Sequence, residues 1–119
     1  MTKYQIIRVS TGGCLGASLR WLILDGTSSQ LFPWPTLIVN IIGCALLGIL
    51  SNKKTDEKSW LLWSTGFCGG LTTFSTFTLE IATLLENKQF SVTFFYLTTS
   101  LVAGAGIFKT FQTIWARQS

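Results

Sequence analysis

The 119 residues are 48% apolar and only 12% charged, with a formal net charge of +4, about half the charged fraction of an ordinary soluble domain. That shortage of solvating side chains points to lipid, and the complete lack of histidine removes Ser-His-Asp and Cys-His catalysis, imidazole metal sites and histidine proton switches together. Cys14, Cys44 and Cys68 lie inside apolar runs without CxxC spacing, so they read as small packing residues rather than a disulfide or metal ligands.

A helix needs about 20 mostly apolar residues to cross the hydrocarbon core of a bilayer. Four stretches meet that length, which predicts an all-α membrane protein with a single four-helix transmembrane domain over residues 1–119. The first span covers residues 5–24. Arg20 follows its apolar stretch and no A-x-A site is present, so it reads as a span and not as a cleaved signal peptide. Gly12 and Gly16 in it read as packing glycines, as do Gly104 and Gly106 further on.

The second span covers residues 35–51, and no charge occurs between Asp25 and Lys53. Pro33 and Pro35 suit a loop and a first helical turn. Asn40 interrupts this span, and an amide in lipid needs a partner inside the bundle. Its NH2 group could equally donate to an anion or to a neighbouring helix. The third span covers residues 60–85 and the fourth residues 90–115. Tyr96 and Ser100 stand four apart in the fourth and share a helical face.

Trp21, Trp34, Trp60 and Trp115 fall near span ends, as interfacial aromatic belts require. The connections are short, so neighbouring helices run antiparallel. Both termini and the middle loop then share one side, carrying Lys3, Arg8, Lys53, Lys54, Lys58 and Arg117, while the other side holds Lys88 and at most Arg20. This bias favours cytoplasmic termini in the cell membrane.

The third span holds the chemistry. Between Gly66 and Phe77 it carries three glycines and the four hydroxyl residues Thr72, Thr73, Ser75 and Thr76. Glycine costs about 1 kcal/mol relative to alanine in a helix, and hydroxyl side chains compete for its backbone groups. In hydrocarbon, irregular backbone survives only where protein or a water-filled cavity covers it. The pattern predicts a helix broken near the midplane, with freed carbonyls and hydroxyls turned toward an ion. A phosphate loop is excluded because no lysine follows the glycines. Phe74 and Phe77, three apart, share a face, and the positive edge of an aromatic ring attracts an anion without trapping it. Glu80 lies one turn further on and is expected to pair with Arg20.

Three motifs in order resemble the Fluc (CrcB) family of fluoride channels along nearly the whole chain. They are the run from Gly12 to Trp21, the run from Thr36 to Asn40 with Gly43, and the run from Gly69 to Phe77 with Glu80. The resemblance implies a dual-topology dimer of antiparallel subunits enclosing two narrow fluoride pathways. It implies that Phe74 and Phe77, with Ser75 and Thr76 beside them, line a pathway, that Asn40 donates to the anion, and that Tyr96 and Ser100 extend a polar track. Arg20 and Glu80 take structural or vestibule positions. It also implies a structural, non-transported Na+ on the dimer axis, held by the backbone carbonyls of Gly69 and Thr72. The chain departs from the family pattern in two places. The polar track often continues one and two turns beyond Ser100, where this chain has Gly104 and Phe108, and the residue before Thr36 is commonly glycine but is Pro35 here.

The expected function is passive, fluoride-selective export that lowers cytoplasmic fluoride, and not catalysis. The charge bias suggests a chain of fixed orientation paired with a separate, oppositely inserted partner, as against a homodimer. Two rival readings stand beside this one. A proton-coupled small-solute exporter would need a titrating carboxylate, for which Glu80 is the only candidate. A vestigial, non-conducting subunit would have no use for Asn40, Phe74 and Phe77.

Overall fold

The computed structural model describes residues 2–25, 32–52 and 56–116, and these are helical without strands. Lys53, Lys54 and Arg117, three of the charges behind the expected orientation, lie outside the described residues.

Helix α1 spans Lys3–Asp25. Thr2 and Gln5 close its start reciprocally: the Gln5 N–H donates to Thr2 Oγ1 at 3.3 Å, and the Thr2 N–H donates to Gln5 Oε1 at 2.8 Å, a capping box that satisfies two orphan donors. Helix α2 spans Trp34–Asn52. The third stretch is one continuous rod made of α3 (Glu57–Trp60), a π-helical segment (Leu61–Cys68) and α4 (Gly69–Leu71), since the residues at both junctions keep right-handed helical dihedrals. After a two-residue break, α5 (Phe74–Glu86) continues, and α6 spans Phe90–Ala116.

The helices pair by backbone contact. A Cβ on Gly12 would lie 2.1 Å from the Leu62 carbonyl oxygen, one on Gly16 2.2 Å from that of Phe67, and one on Gly70 2.4 Å from that of Gly13. Each distance is impossible for a real side chain, so α1 and the π-helical rod touch main chain to main chain, as helices in lipid do where small residues allow it. The contacts rise together in sequence, which makes α1 and the rod parallel. Helix α2 runs parallel to α6 in the same manner: Gly104 faces Cys44, and a Cβ on Gly48 would strike the Phe108 carbonyl oxygen at 2.6 Å. Gly106, expected to pack, instead has open space beside it.

Little is buried. Leu37, Leu84 and Tyr96 form a small core against which Phe32, Ile41, Phe77, Ile81 and Val92 pack. Large apolar side chains such as Trp21, Leu22, Phe74, Leu79, Phe94, Phe95 and Leu101 stay exposed, far beyond what a soluble monomer presents to water. Among the described residues, Trp34–Ser51 and Phe90–Ala116 are long and apolar enough to cross a membrane. Helix α1 is long enough, at 23 residues, but carries Lys3, Arg8, Arg20 and Asp25 along its length. The third stretch falls short as any one helix because it is divided, α5 having 13 residues. The described chain measures 47 × 34 × 24 Å.

Candidate functional site

The break is built by two threonines. Thr72 (φ −80°, ψ 156°) and Thr73 (φ −144°, ψ 121°) are both extended, a conformation that β-branched side chains accept readily. Thr72 Oγ1 donates back to the Cys68 carbonyl at 2.9 Å and closes the end of α4. Thr73 Oγ1 accepts the Thr76 N–H at 3.1 Å and caps α5.

Asn40 holds the break from α2. Its Oδ1 accepts the Thr73 N–H at 2.8 Å, and its Nδ2 donates to the Thr73 carbonyl at 3.3 Å. One Nδ2 hydrogen is left over, since a primary amide carries two. The interhelical and the anion-facing uses expected of this amide are therefore compatible, with one hydrogen for each.

The carbonyls of Gly69 and Thr72 are among those that lose their helical donors at the break. In a continued α-helix, the Gly69 carbonyl would accept from the Thr73 N–H and the Thr72 carbonyl from the Thr76 N–H. Those two N–H groups go instead to Asn40 Oδ1 and Thr73 Oγ1. Gly69 is exposed, with no heavy atom within 4 Å of where a Cβ would stand. Neutral main-chain oxygens of this kind suit a hard cation of low charge, so the residues present fit the Na+ expected there.

Beside the break runs a groove of about 490 Å³. Asn40, Gly43, Cys44 and Leu47 of α2 line one wall; Ser64, Thr65, Cys68 and Gly69 of the rod line the other. Thr72, Thr73, Phe74, Phe77, Ser100 and Leu101 complete it. The Phe74 and Phe77 ring centroids are 6.0 Å apart. Phe77 turns inward, its ring 5.0 Å from that of Tyr96, whereas Phe74 is 79% exposed on the single chain. Behind Phe77, the hydroxyls of Tyr96 and Ser100 are buried; neither makes a full hydrogen bond to a described residue, and that of Tyr96 lies beside Thr36 and Glu80. Two such hydroxyls on one helix face are costly unless something else accepts from them.

Other expected residues lie elsewhere. Ser75 and Thr76 do not line the groove: the Ser75 hydroxyl meets that of Thr73 at 3.3 Å, and Thr76 serves the cap through its N–H. Glu80 borders a separate recess of about 370 Å³ with Pro33, Leu79, Thr83, Leu84, Asn87 and Gln89. Its carboxylate accepts from Thr36 Oγ1. Among the described residues no ion pair joins Glu80 to Arg20, contrary to the expected pairing, because α1 packs on the π-helical segment and α4 while α5 packs on α6. Thr36 was not singled out as a partner for Glu80, nor Phe32 for its edge contact with Tyr96 at 5.5 Å. Ser64 and Thr65 also went unmarked, although two adjacent hydroxyls in an apolar rod are a legible signal.

Comparison with known proteins settles the kinship. Residues 7–110 match the family described as CrcB-like protein, Camphor Resistance (CrcB). The chain belongs to the CrcB family. It is 45% identical over 101 residues to "Fluoride-specific ion channel FluC 1" of Ligilactobacillus salivarius (strain UCC118), covering 83% of this chain and 89% of that one. It is 41% identical over 100 residues to "Fluoride-specific ion channel FluC 2" of Rhodococcus jostii (strain RHA1), covering 83% and 88%. With "Fluoride-specific ion channel FluC" of Prosthecochloris aestuarii (strain DSM 271 / SK 413) the identity is 41% over 106 residues, covering 83% of each. Together with the two long apolar helices, membership in CrcB makes this a membrane protein, in a family of channels and not of enzymes.

Proposed function

We propose that this CrcB protein is one subunit of a passive, fluoride-selective channel that lets fluoride leave the cytoplasm and so limits its toxicity. The observation that carries the reading is the meeting, in one groove, of the Asn40 amide, the inward ring of Phe77 and the unpartnered hydroxyl of Ser100, with that of Tyr96 behind the ring. Fluoride is small and tightly hydrated, so a narrow path must offer donors in place of water. Hydroxyls, one amide hydrogen and phenyl edges are neutral, which allows release as well as binding. A potential negative inside drives an anion outward by about 2.3 kcal/mol per 100 mV, so no energy coupling is needed.

Four crossings of the cell membrane accord with the helix directions, α1 and the rod running one way and α2 and α6 the other. The exposed faces of Phe74 and Gly69 suit a second, antiparallel subunit that covers the groove. The Gly69 and Thr72 carbonyls would hold a structural Na+, which neutralises oxygens the break leaves unpaired. The charge bias in sequence favours a separate partner chain inserted oppositely over a homodimer.

Fluoride efflux from liposomes carrying the purified complex tests this reading. Rapid efflux without a proton gradient, retained in Glu80→Gln, is expected; loss of flux in that variant would point to the proton-coupled exporter. Full conduction by the chain expressed alone would exclude an obligate second chain, and no flux from any complex of it would overturn the channel.

A further inference from the structure

We propose that Ser64 and Thr65, on the π-helical segment, supply the hydrogen-bond donors for the stretch of the fluoride path that lies beyond Ser100 toward the end of α2. The proposal rests on the channel reading above and names which residues carry the anion where α6 cannot.

The groove has a direction. Asn40 bonds to Thr73 at one end; Gly43 faces Thr72 and Cys68; Leu47, one turn further along α2, lies on the same wall. Because α2 and the rod are antiparallel, the residues one turn before Cys68, Ser64 and Thr65, fall near the level of Leu47. An α-helix rises about 1.5 Å per residue, so the seven residues from Asn40 to Leu47 cover about 10 Å. Helix α6 tracks α2 over the same distance: Gly104 stands against Cys44, and Phe108 lies against Gly48. Past Ser100, α6 thus brings a glycine and a phenylalanine to the levels at which an anion would next need a donor.

Elimination leaves two side chains on the opposite wall. Among the hydroxyls lining the groove, that of Thr72 donates to the Cys68 carbonyl, and that of Thr73 accepts the cap N–H and meets the Ser75 hydroxyl at 3.3 Å. The Ser64 and Thr65 hydroxyls make no hydrogen bond with any described residue. Several hydroxyls of the α-helices share that lack, Thr98 and Thr99 among them, whereas others bond to their own backbone. Thr11, Thr78, Thr83 and Thr110, all in α-helices, each donate to the carbonyl four residues back at 2.7–2.9 Å. In a π-helix the backbone pairs five residues apart, so the carbonyl four residues back no longer sits under the hydroxyl to capture it. The π-helical segment therefore leaves two donors free of its own backbone. Ser64 is only 6% exposed, yet it borders the groove, so its hydroxyl has the groove as its outlet.

The test compares fluoride efflux from liposomes for wild type, Thr65→Ser, Thr65→Val and Ser64→Ala/Thr65→Val, each in the complex that conducts. A hydrogen bond to a charged group contributes enough for its loss to slow passage by about tenfold. Efflux is expected to fall by about that factor in the double variant and to stay near wild type in Thr65→Ser. A hydroxyl returned on the facing helix, Gly104→Ser in the double variant, should restore part of the rate, which a merely structural role would not do. Wild-type efflux in a monodisperse double variant overturns the proposal while leaving the channel intact; absence of efflux in wild type overturns the channel itself. If the double variant does not assemble, Thr65→Val alone decides, wild-type flux again counting against the proposal.

Discussion

Asn40 holds both main-chain polar groups of Thr73, accepting from its N–H at 2.8 Å and donating to its carbonyl at 3.3 Å. One amide on α2 thus takes the N–H that the preceding turn would otherwise hold and adds a second donor to a carbonyl that already opens α5. Replacing it separates two roles. Asn40→Ala leaves the buried Thr73 N–H without a partner, at a cost of about 1–3 kcal/mol, and removes the free Nδ2 hydrogen from the groove. Asn40→Asp keeps an acceptor for the Thr73 N–H but brings a negative charge to an anion path. Both variants are expected to abolish fluoride efflux. In thermal unfolding in detergent, Asn40→Ala should be clearly destabilised.

Tyr96 gives the opposite combination. It is fully buried, and its hydroxyl makes no full hydrogen bond to a described residue. Removing a buried, unpaired hydroxyl is neutral or favourable for folding. Tyr96→Phe should therefore unfold at the wild-type temperature or above it, while fluoride efflux falls about tenfold, the loss expected for one donor to an anion. A variant that is both less stable and fully conducting would mean that the hydroxyl serves the fold and not the ion.

The contact between α1 and the rod has no slack. A Cβ on Gly16 would stand 2.2 Å from the Phe67 carbonyl oxygen and 2.8 Å from the Leu71 nitrogen, both backbone atoms that cannot step aside alone. Gly16→Val should therefore push the helices apart at a cost of about 3 kcal/mol or more, seen as loss of monodisperse protein in size-exclusion chromatography. Gly106→Ala, with open space around the site, should behave as wild type in the isolated subunit.

Lys88 joins α5 to α6 with a φ of 59°, and the turn is closed by N–H donation from Lys88 to Leu85 and from Gln89 to Leu84, at 3.0 and 2.9 Å. A left-handed backbone costs a non-glycine residue roughly 1–2 kcal/mol. Lys88→Gly is expected to raise stability by about 1 kcal/mol, read as a higher melting temperature in detergent, with fluoride efflux unchanged.

Helices α2 and α6 were legible because lipid demands length and apolarity, and the break was legible because Thr72-Thr73 comes just after Gly69-Gly70 in a stretch with no other reason to hold them. The partner of Glu80 was not. Arg20 offers the opposite charge, but charge attraction does not reveal which helices touch, and the glycines of α1 commit that helix to the rod. Thr36, on the helix that does reach Glu80, is uncharged and gives no such signal. The π-helical segment was equally hidden: nothing in the composition of Leu61–Cys68 marks it, and in the fold it lies against Gly12 and Gly16 of α1. Ser75 and Thr76 looked like pathway hydroxyls by adjacency to Phe74 and Phe77. The N-cap geometry of Thr73 instead directs them to the helix start.

The last prediction concerns the carbonyls of Gly69 and Thr72. Their helical donors are diverted to Asn40 Oδ1 and Thr73 Oγ1, and a carbonyl left bare within protein costs free energy that water, a cation or a partner must offset. If Na+ is that partner, it supplies a positive charge near the break and stabilises the assembly by an amount that grows with the logarithm of its concentration. Exchanging Na+ for N-methylglucamine is then expected to lower both the unfolding temperature of the complex and its fluoride efflux. Thr72→Val, which keeps the carbonyl but loses the hydroxyl bond to Cys68, should still respond to Na+. A complex whose stability and flux are indifferent to Na+ would mean that another donor, such as water or the second subunit, satisfies these oxygens.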